Sequence, residues 1–577
     1  MCLRVPEGED VMKKAELWSK QTTVKVLADK QYDAAYKKAP AFAFRAAKNE
    51  YESAQVIITA AENICDYRIE LSHIQSENRM YFIWKDCFTV YHQKYIEVKQ
   101  NSKGAEEKGF GKGFYPDALL PFEKAVEYGE NKVEQGKNQA IFISLRVPKD
   151  QPAGKYAGEF RIIADGETYS VPVSVEVWDF TVPDEVHCKS DFVIGTSGLK
   201  LGENDYFPQM YRKYAEKLIE FRLAPHRVMQ LLNLPYNEGE DFVREVRYFT
   251  QEGKPELSTI MLPVYPHPVT GIDEANYKKF VLALARACLE DGKDYFKKAA
   301  VYCGFIDEPQ YNGTWDETNR VCKRYETLKN ETADEFEREV EPSDFRTQVA
   351  GSMRAVGNFV TIHFDERITE VKNWCPRLLH MATPQMREKY RRAANNGENW
   401  WYQCGVAADT PNYGIDHNLL DARLMMWMTY DYGLKGTLYW ETVQYYKWQF
   451  CQESHTNHEV MIDCYAEPMR CATDNGDGFL FYPGRPYGIF GPVESIRLHA
   501  IRDGFEEFEY LYLCEELCNK CGADFRKEVQ PLFQTLYDGV CVKADADTFD
   551  KVRAELAEKI VFLENKLRSE ENGDGRN

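Results

Sequence analysis

From about residue 20 to 183 the chain is punctuated into short apolar or alternating runs, among them Ala54–Ile58, Tyr81–Val90, Ala140–Val147, Glu159–Ile163 and Thr168–Val177. Turn signals such as Pro152-Ala-Gly154 and Asp165-Gly166 separate them. Short strands with regular turn breaks predict a β-sandwich. Residues 101–112, rich in Gly, Lys and Glu, read as a solvated loop. Past Pro183-Asp-Glu the texture changes. Candidate strands at Asp191–Gly195, Ser258–Val264, Ala299–Ile306, Phe345–Ala350, Asn358–Phe364, Asn399–Cys404 and Gly436–Trp440 alternate with candidate helices. The helices are Gln209–Phe221, Glu274–Lys297, Trp315–Leu328, Gln385–Asn395 and Asn418–Tyr432. Strand–helix alternation over roughly 320 residues predicts a parallel (β/α)8 TIM-like barrel, one strand short in this count. From Pro492 onward Val493–Cys521 and Phe549–Leu567 predict helices, with a polar frayed end at 569–577. The expected division is a β-sandwich over 1–183, a barrel over 184–510 and a C-terminal helical segment over 511–577.

Charge narrows the partners. With 72 basic and 92 acidic residues the net charge is −20, and no basic stretch is concentrated enough to track a phosphate backbone. Nucleic acid and anionic lipid surfaces are therefore disfavoured. No apolar run approaches the 18–20 residues of a membrane helix, and the first 23 residues lack the apolar core of a signal peptide, so the expected address is cytoplasmic. The sixteen cysteines are scattered and read as free thiols. Cys514, Cys518 and Cys521 share one helical face and read as a core stripe; His455 and His458 lack further ligands, so neither a metal nor a cofactor is expected. No glycine-rich phosphate loop follows a strand.

The sharpest candidate chemistry is Tyr302-Cys-Gly-Phe-Ile-Asp307-Glu308-Pro309. Pro309 ends the strand, which sets two carboxylates at its C-terminal end, the catalytic face of a barrel. At about 5 Å and an effective dielectric of about 20, their repulsion is about 3 kcal/mol, or about two pKa units. One of the pair is expected to hold its proton near neutral pH, as a general acid must. A solvent-exposed turn is the bland alternative. Aromatics gather further on: Trp400-Trp401-Tyr402, Thr410-Pro411-Asn412-Tyr413, then Gly436-Thr-Leu-Tyr439-Trp440-Glu441. Aromatic faces suit sugar rings, although barrel packing accounts for them equally well one by one. A third stretch, Leu480–Gly484 followed by Ser495–Gly504, carries a candidate N-cap at Ser495 and arginines suited to clamping the last helix.

Together these stretches resemble the bacterial domain-of-unknown-function family 4091, related to glycoside hydrolase family 123. The motifs are Asp307–Pro309, Trp401–Tyr402, Pro411–Asn412, Gly436–Trp440, Leu480–Gly484, Ser495–Gly504 and, near the start, Asn49-Glu50 to Gln55. The resemblance implies an exo-β-N-acetylgalactosaminidase that works by substrate-assisted catalysis with retention, an exception to the two-carboxylate rule. It implies Glu308 as general acid/base and Asp307 as the group that orients the substrate's 2-acetamido arm. Trp401, Tyr402, Asn412, Tyr439, Trp440 and Glu441 would bind the sugar, and the partner would be a carbohydrate. Two alternatives stand beside it: a conventional retaining glycosidase with Glu441 as nucleophile, and a non-catalytic carbohydrate-binding protein.

Overall fold

The computed structural model describes residues 14–574 apart from 109, 205–207, 229–237, 252–255, 396, 406–409, 453–454 and 472–473. It divides into two compact units. One takes in the chain to Glu97 together with Gly113–Thr181; the other takes in Val98–Lys112 and everything from Val182.

The first unit is built of β-strands in two sheets. In one, Ala15–Lys20, Tyr51–Ala60, Asn138–Arg146 and Phe88–Val98 lie side by side. In the other, Phe42–Lys48, Glu167–Thr181 and Gly154–Ala164 are neighbours, the first pair parallel and the second antiparallel. Alternate side chains of both sheets share one core: Phe42 and Phe44, Val56 and Ile58, Ile141 and Ile143, Phe160 and Ile162, Val171 to Val177. That is the period-two pattern of two sheets packed face to face. The Asn49–Gln55 signature is structural here. Asn49 turns the chain at φ 62°, the buried Glu50 carboxylate accepts from the Ala47 amide, and Gln55 donates to the Gln21 and Val24 carbonyls.

The second unit is α/β. Its parallel strands are Lys189–Phe192, Ile260–Met261, Ala299–Tyr302, Asn358–Thr361, Asn373–Cys375, Trp400–Gln403 and Gly436–Tyr439. Four pair in chain order from Ile260–Met261 to Asn373–Cys375; the last strand sits between Lys189–Phe192 and Trp400–Gln403. Single parallel bridges link Arg377 with Tyr402 and Phe192 with Pro225. The inner faces meet in one cluster of Met261, Ala300, Phe359, Cys375, Trp400, Tyr402 and Leu438, joined by Tyr302, Cys404 and Trp440. Gly436 is required there, because a Cβ would stand 2.6 Å from the Trp400 ring.

Five expectations change. Phe345–Ala350 is not a strand but part of helix Asp344–Ala355; Ser343 caps it by accepting from the Arg346 amide, and Val349, Ala350 and Met353 form a helical stripe. The strand left out is Asn373–Cys375, only three residues long and cut short by Pro376. Residues 101–112 are not merely solvated. Ser102 is buried in the second unit, with its amide and hydroxyl donating to Asp416 at 2.6 Å each and its Oγ accepting from the Asn475 amide at 2.7 Å. Helix Glu274–Asp291 stops earlier than expected, at Gly292 with φ 63°. The C-terminal helix Ala546–Asp574 runs through part of the segment expected to fray; residues 575–577 lie outside the described residues.

Candidate active site

Strand Ala299–Tyr302 ends in a 3-10 turn, Gly304–Ile306, and the chain then presents Asp307 and Glu308 before the short helix Pro309–Asn312. Glu308 adopts φ 44° and ψ 55°. Proline at the next position disfavours the right-handed helical region for this residue, and the left-handed region costs a non-glycine residue about 1–2 kcal/mol. Strain of this kind persists only where the surroundings fix it. Here the Glu308 amide donates to the Thr361 carbonyl at 3.1 Å, and Tyr402 Oη donates to Glu308 Oε1. Glu308 is thus held at its backbone by strand Asn358–Thr361 and at its carboxylate by strand Trp400–Gln403.

Asp307 is held by others. Its Oδ1 accepts from Tyr302 Oη at 3.1 Å and from Thr361 Oγ1, and Asn312 Nδ2 caps its carbonyl at 3.1 Å. Partial desolvation, and then the Glu308 charge beside it, push the Asp307 carboxyl up to about 6. Burial, ahead of charge repulsion, is the cause, and above pH 6 Asp307 is mostly a carboxylate. Burial and the contact with Glu308 hold the Tyr402 phenol far above its ordinary range, so it stays a donor.

Around the pair stand further groups, of which the sequence reading named only Trp440 as a binder. Tyr302 stacks on Phe359 at 5.0 Å and meets the His226 ring edge-on at 6.0 Å. The buried Asp191 holds His226 Nδ1 at 2.9 Å and 3.0 Å, which fixes the imidazole. Trp440, half-buried beside Tyr302, donates Nε1 to Asp477 at 3.3 Å. An ionisable residue inside an apolar strand, as Asp191 is, was the available signal; His226 and Asp477 lie on loops with none.

Other anticipated binders sit elsewhere. Trp401 is fully buried on the opposite strand face, where its Nε1 donates to Thr429 Oγ1 of helix Leu420–Asp431 at 2.7 Å. Strand alternation makes this unavoidable once Trp400 and Tyr402 face inward. Asn412 closes its own loop: Nδ2 donates to the Thr410 carbonyl and Oδ1 accepts from the Gly414 amide. Tyr439 is buried, its Oη accepting from the Gly478 amide at 2.8 Å. Glu441 Oε1 accepts from the amides of Gly195, Thr442 and Val443 at 2.9, 2.8 and 3.0 Å. Gly195 admits it, since a Cβ there would lie 2.0 Å from the carboxylate. Of the eight anticipated residues, Asp307, Glu308, Tyr402 and Trp440 gather at the site. The closing motif clamps as expected: Ser495 accepts from the Leu498 amide, and the buried Arg497 donates to the Tyr413 and Gly476 carbonyls. Cys514 and Cys518 are buried free thiols, and among the described residues no cluster of three His, Cys, Asp or Glu is arranged to hold a metal.

Two family models match the chain. One describes the glycoside hydrolase 123 catalytic domain and covers residues 312–514; the other describes the glycoside hydrolase 123 N-terminal domain and covers residues 28–164. Asp307 and Glu308 lie just ahead of the first matched span. Among solved structures, a family 123 glycoside hydrolase from Clostridium perfringens, studied for glycolipid glycan hydrolysis, superposes with a TM-score of 0.64 at 13% identity. That match covers 96% of this chain and 99% of the other, and shows a shared fold. A Parabacteroides merdae β-glucuronidase reaches a TM-score of only 0.24 at 10% identity, over 87% of this chain and 51% of its own. A Bacteroides ovatus family 5 xyloglucanase reaches 0.21 at 9%, over 85% and 100%. Comparison with curated proteins finds no match.

Proposed function

We propose that the chain, a glycoside hydrolase related to family 123, is an exo-β-N-acetylgalactosaminidase that retains configuration through substrate-assisted catalysis. The finer kinship with the domain-of-unknown-function family 4091 rests on the sequence motifs alone. In this reading the parallel strands form one (β/α)8 barrel, with residues 223–226 beside Phe192 as its eighth position, so that Asp307 and Glu308 stand at the strand C-terminal ends. The barrel spans 184–510 after a sandwich over 1–183. The helical segment over 511–577 begins inside helix Ile496–Lys520 and continues the same compact unit.

The chemistry follows from the pair. The Glu308 carboxylic acid protonates the glycosidic oxygen while the substrate's acetamido oxygen attacks C1, and the aglycone leaves as an alcohol. Asp307, as carboxylate, accepts the acetamido N–H and steers that oxygen. In the second half Glu308, now a carboxylate, takes a proton from water as it adds to C1 and opens the oxazolinium ring, with net retention. Adjacent carboxylates suit this division of labour, because neither must reach the far side of the ring as nucleophile. His226 and Trp440 are placed to meet hydroxyls and a ring face.

The observation that carries the reading is the strained Glu308, its carboxylate gripped by Tyr402 beside an Asp307 poised near pH 6. Glu441, tied to three backbone amides, is poorly suited to nucleophilic attack, which weighs against the conventional mechanism. The test is hydrolysis of an aryl β-N-acetylgalactosaminide. Glu308→Gln is expected to lower kcat by 10²–10⁴-fold, and a thiazoline analogue of the intermediate to inhibit the wild type. Undiminished turnover in that variant, or equal turnover of substrates lacking the acetamido group, defeats the mechanism.

A further inference from the structure

Beyond Thr361, Cys375 and Tyr402 the three neighbouring strands continue. His363 lies two residues beyond Thr361, Arg377 two beyond Cys375, and Cys404 two beyond Tyr402. Pairing persists that far: the Ile362 amide donates to the Cys375 carbonyl, and Arg377 bridges Tyr402. Two strand residues advance about 7 Å, so His363 lies about that far along its strand from Thr361, which holds Asp307 and Glu308, and Arg377 is paired with the Tyr402 that reaches Glu308.

Arg377 is half-buried, yet among the described residues its guanidinium makes no ion pair and no hydrogen bond. Its charge is felt at three neighbours: His363, His380 and Cys404. The His363 and His380 rings lie 3.8 Å apart, and His363 Nε2 is buried without a hydrogen-bond partner. Burial and the guanidinium lower both imidazoles, His380 to about 4, so at neutral pH each is a neutral ring with one N–H to give. The exposed Tyr311 forms a rim against His363 at 5.8 Å. Gln310 beside it has both amide atoms buried and unpartnered. Buried polar atoms without a partner, as His363 Nε2 and the Gln310 amide are, cost free energy unless something occupies them, and the Arg377 charge reaches the same histidine.

We infer that Arg377, with His363 and His380, forms a subsite for an oxyanion carried by the glycan, a sulfate ester or a carboxylate. The subsite rests on the glycosidase reading of the neighbouring pair and sets its preference among glycans. Arginine's fork takes a planar or tetrahedral oxyanion through two parallel N–H bonds, and the imidazoles add donors at the side. The anionic group would sit on the terminal sugar or on the sugar released with it.

Three aryl or disaccharide β-N-acetylgalactosaminides separate the sources: a neutral one, one bearing a sulfate ester on the terminal sugar, and one whose leaving sugar is a hexuronic acid. The wild type is expected to prefer one of the two anionic substrates to the neutral one. In Arg377→Gln the ratio of anionic to neutral kcat/KM is expected to fall at least tenfold, and in Arg377→Lys by less. Calorimetric titration with sodium sulfate at constant ionic strength is expected to show binding to the wild type and none to Arg377→Gln. An unchanged ratio together with no sulfate binding by a folded wild type overturns the subsite. Arginine-dependent sulfate binding by an enzyme that cleaves none of the three substrates upholds the subsite and defeats the glycosidase specificity instead.

Discussion

Asp307 accepts two hydroxyl hydrogen bonds and still titrates near 6, because desolvation and the Glu308 charge outweigh them. The sign of the resulting stability change is fixed. Below the unfolded value of about 4 both states hold the proton and nothing is lost. As pH rises toward 6 the unfolded chain ionises first, so the folded state loses stability; above 6 the loss is complete. Asp307→Asn removes that penalty. Its melting temperature is expected to exceed that of the wild type at pH 7–8 and to converge with it near pH 4, while hydrolysis of an aryl β-N-acetylgalactosaminide collapses. Equal melting temperatures across that range would show that the carboxyl titrates normally. The Asp-Glu-Pro tripeptide made the pair legible from the sequence. The upward shift of Asp307 was not legible, since it depends on Tyr302, Thr361 and the depth of the recess, and none of these is a property of the tripeptide.

Elements were legible where the apolar period was long. The helices at Gln209–Glu220, Trp315–Glu339, Pro384–Ala394 and Leu420–Asp431 lie within a few residues of their expected bounds, apart from the longer run of Trp315–Glu339. Failure came where period and length gave no purchase. Phe345–Ala350 alternates by chance, and Asn373–Cys375 is too short to show any period. Sidedness was the subtler loss, because in Trp400-Trp401-Tyr402 every residue is aromatic and the sequence cannot say which faces inward. The structure turns Trp401 onto helix Leu420–Asp431. Trp401→Phe deletes the bond to Thr429 and part of the packing, so unfolding by urea should show a loss of about 1–2 kcal/mol, with KM for the aryl glycoside unchanged. A raised KM with unaltered stability would return Trp401 to the sugar.

Over the whole molecule, a net charge of −20 by itself suggests carboxylates spread over solvated surface. The second unit instead buries Asp191, Glu203, Asp416, Asp503, Glu506, Glu507 and Glu509. Helix Ile496–Lys520 hides this, being covered almost all round rather than along one stripe. Its Glu507 is the tie between three helices. The carboxylate accepts from Arg423 and, at 2.9 Å, from Trp427 Nε1, both on helix Leu420–Asp431, and the Arg553 guanidinium of helix Ala546–Asp574 lies 3.1 Å away. An exposed pair such as Arg391–Glu388 is screened by solvent and contributes little. Removing one partner from a buried cluster leaves charge without compensation, at a cost of about 3–5 kcal/mol. Glu507→Gln keeps the shape but takes a carboxylate from Arg423, which keeps Asp503 at 3.6 Å, and leaves Arg553 beside a neutral amide. Its unfolding midpoint in urea should fall by an amount worth about 3 kcal/mol or more, while Glu388→Gln leaves it nearly unchanged. Similar small shifts in both variants would mean that the buried charges are solvated after all and that the helices are held together by their apolar contacts alone.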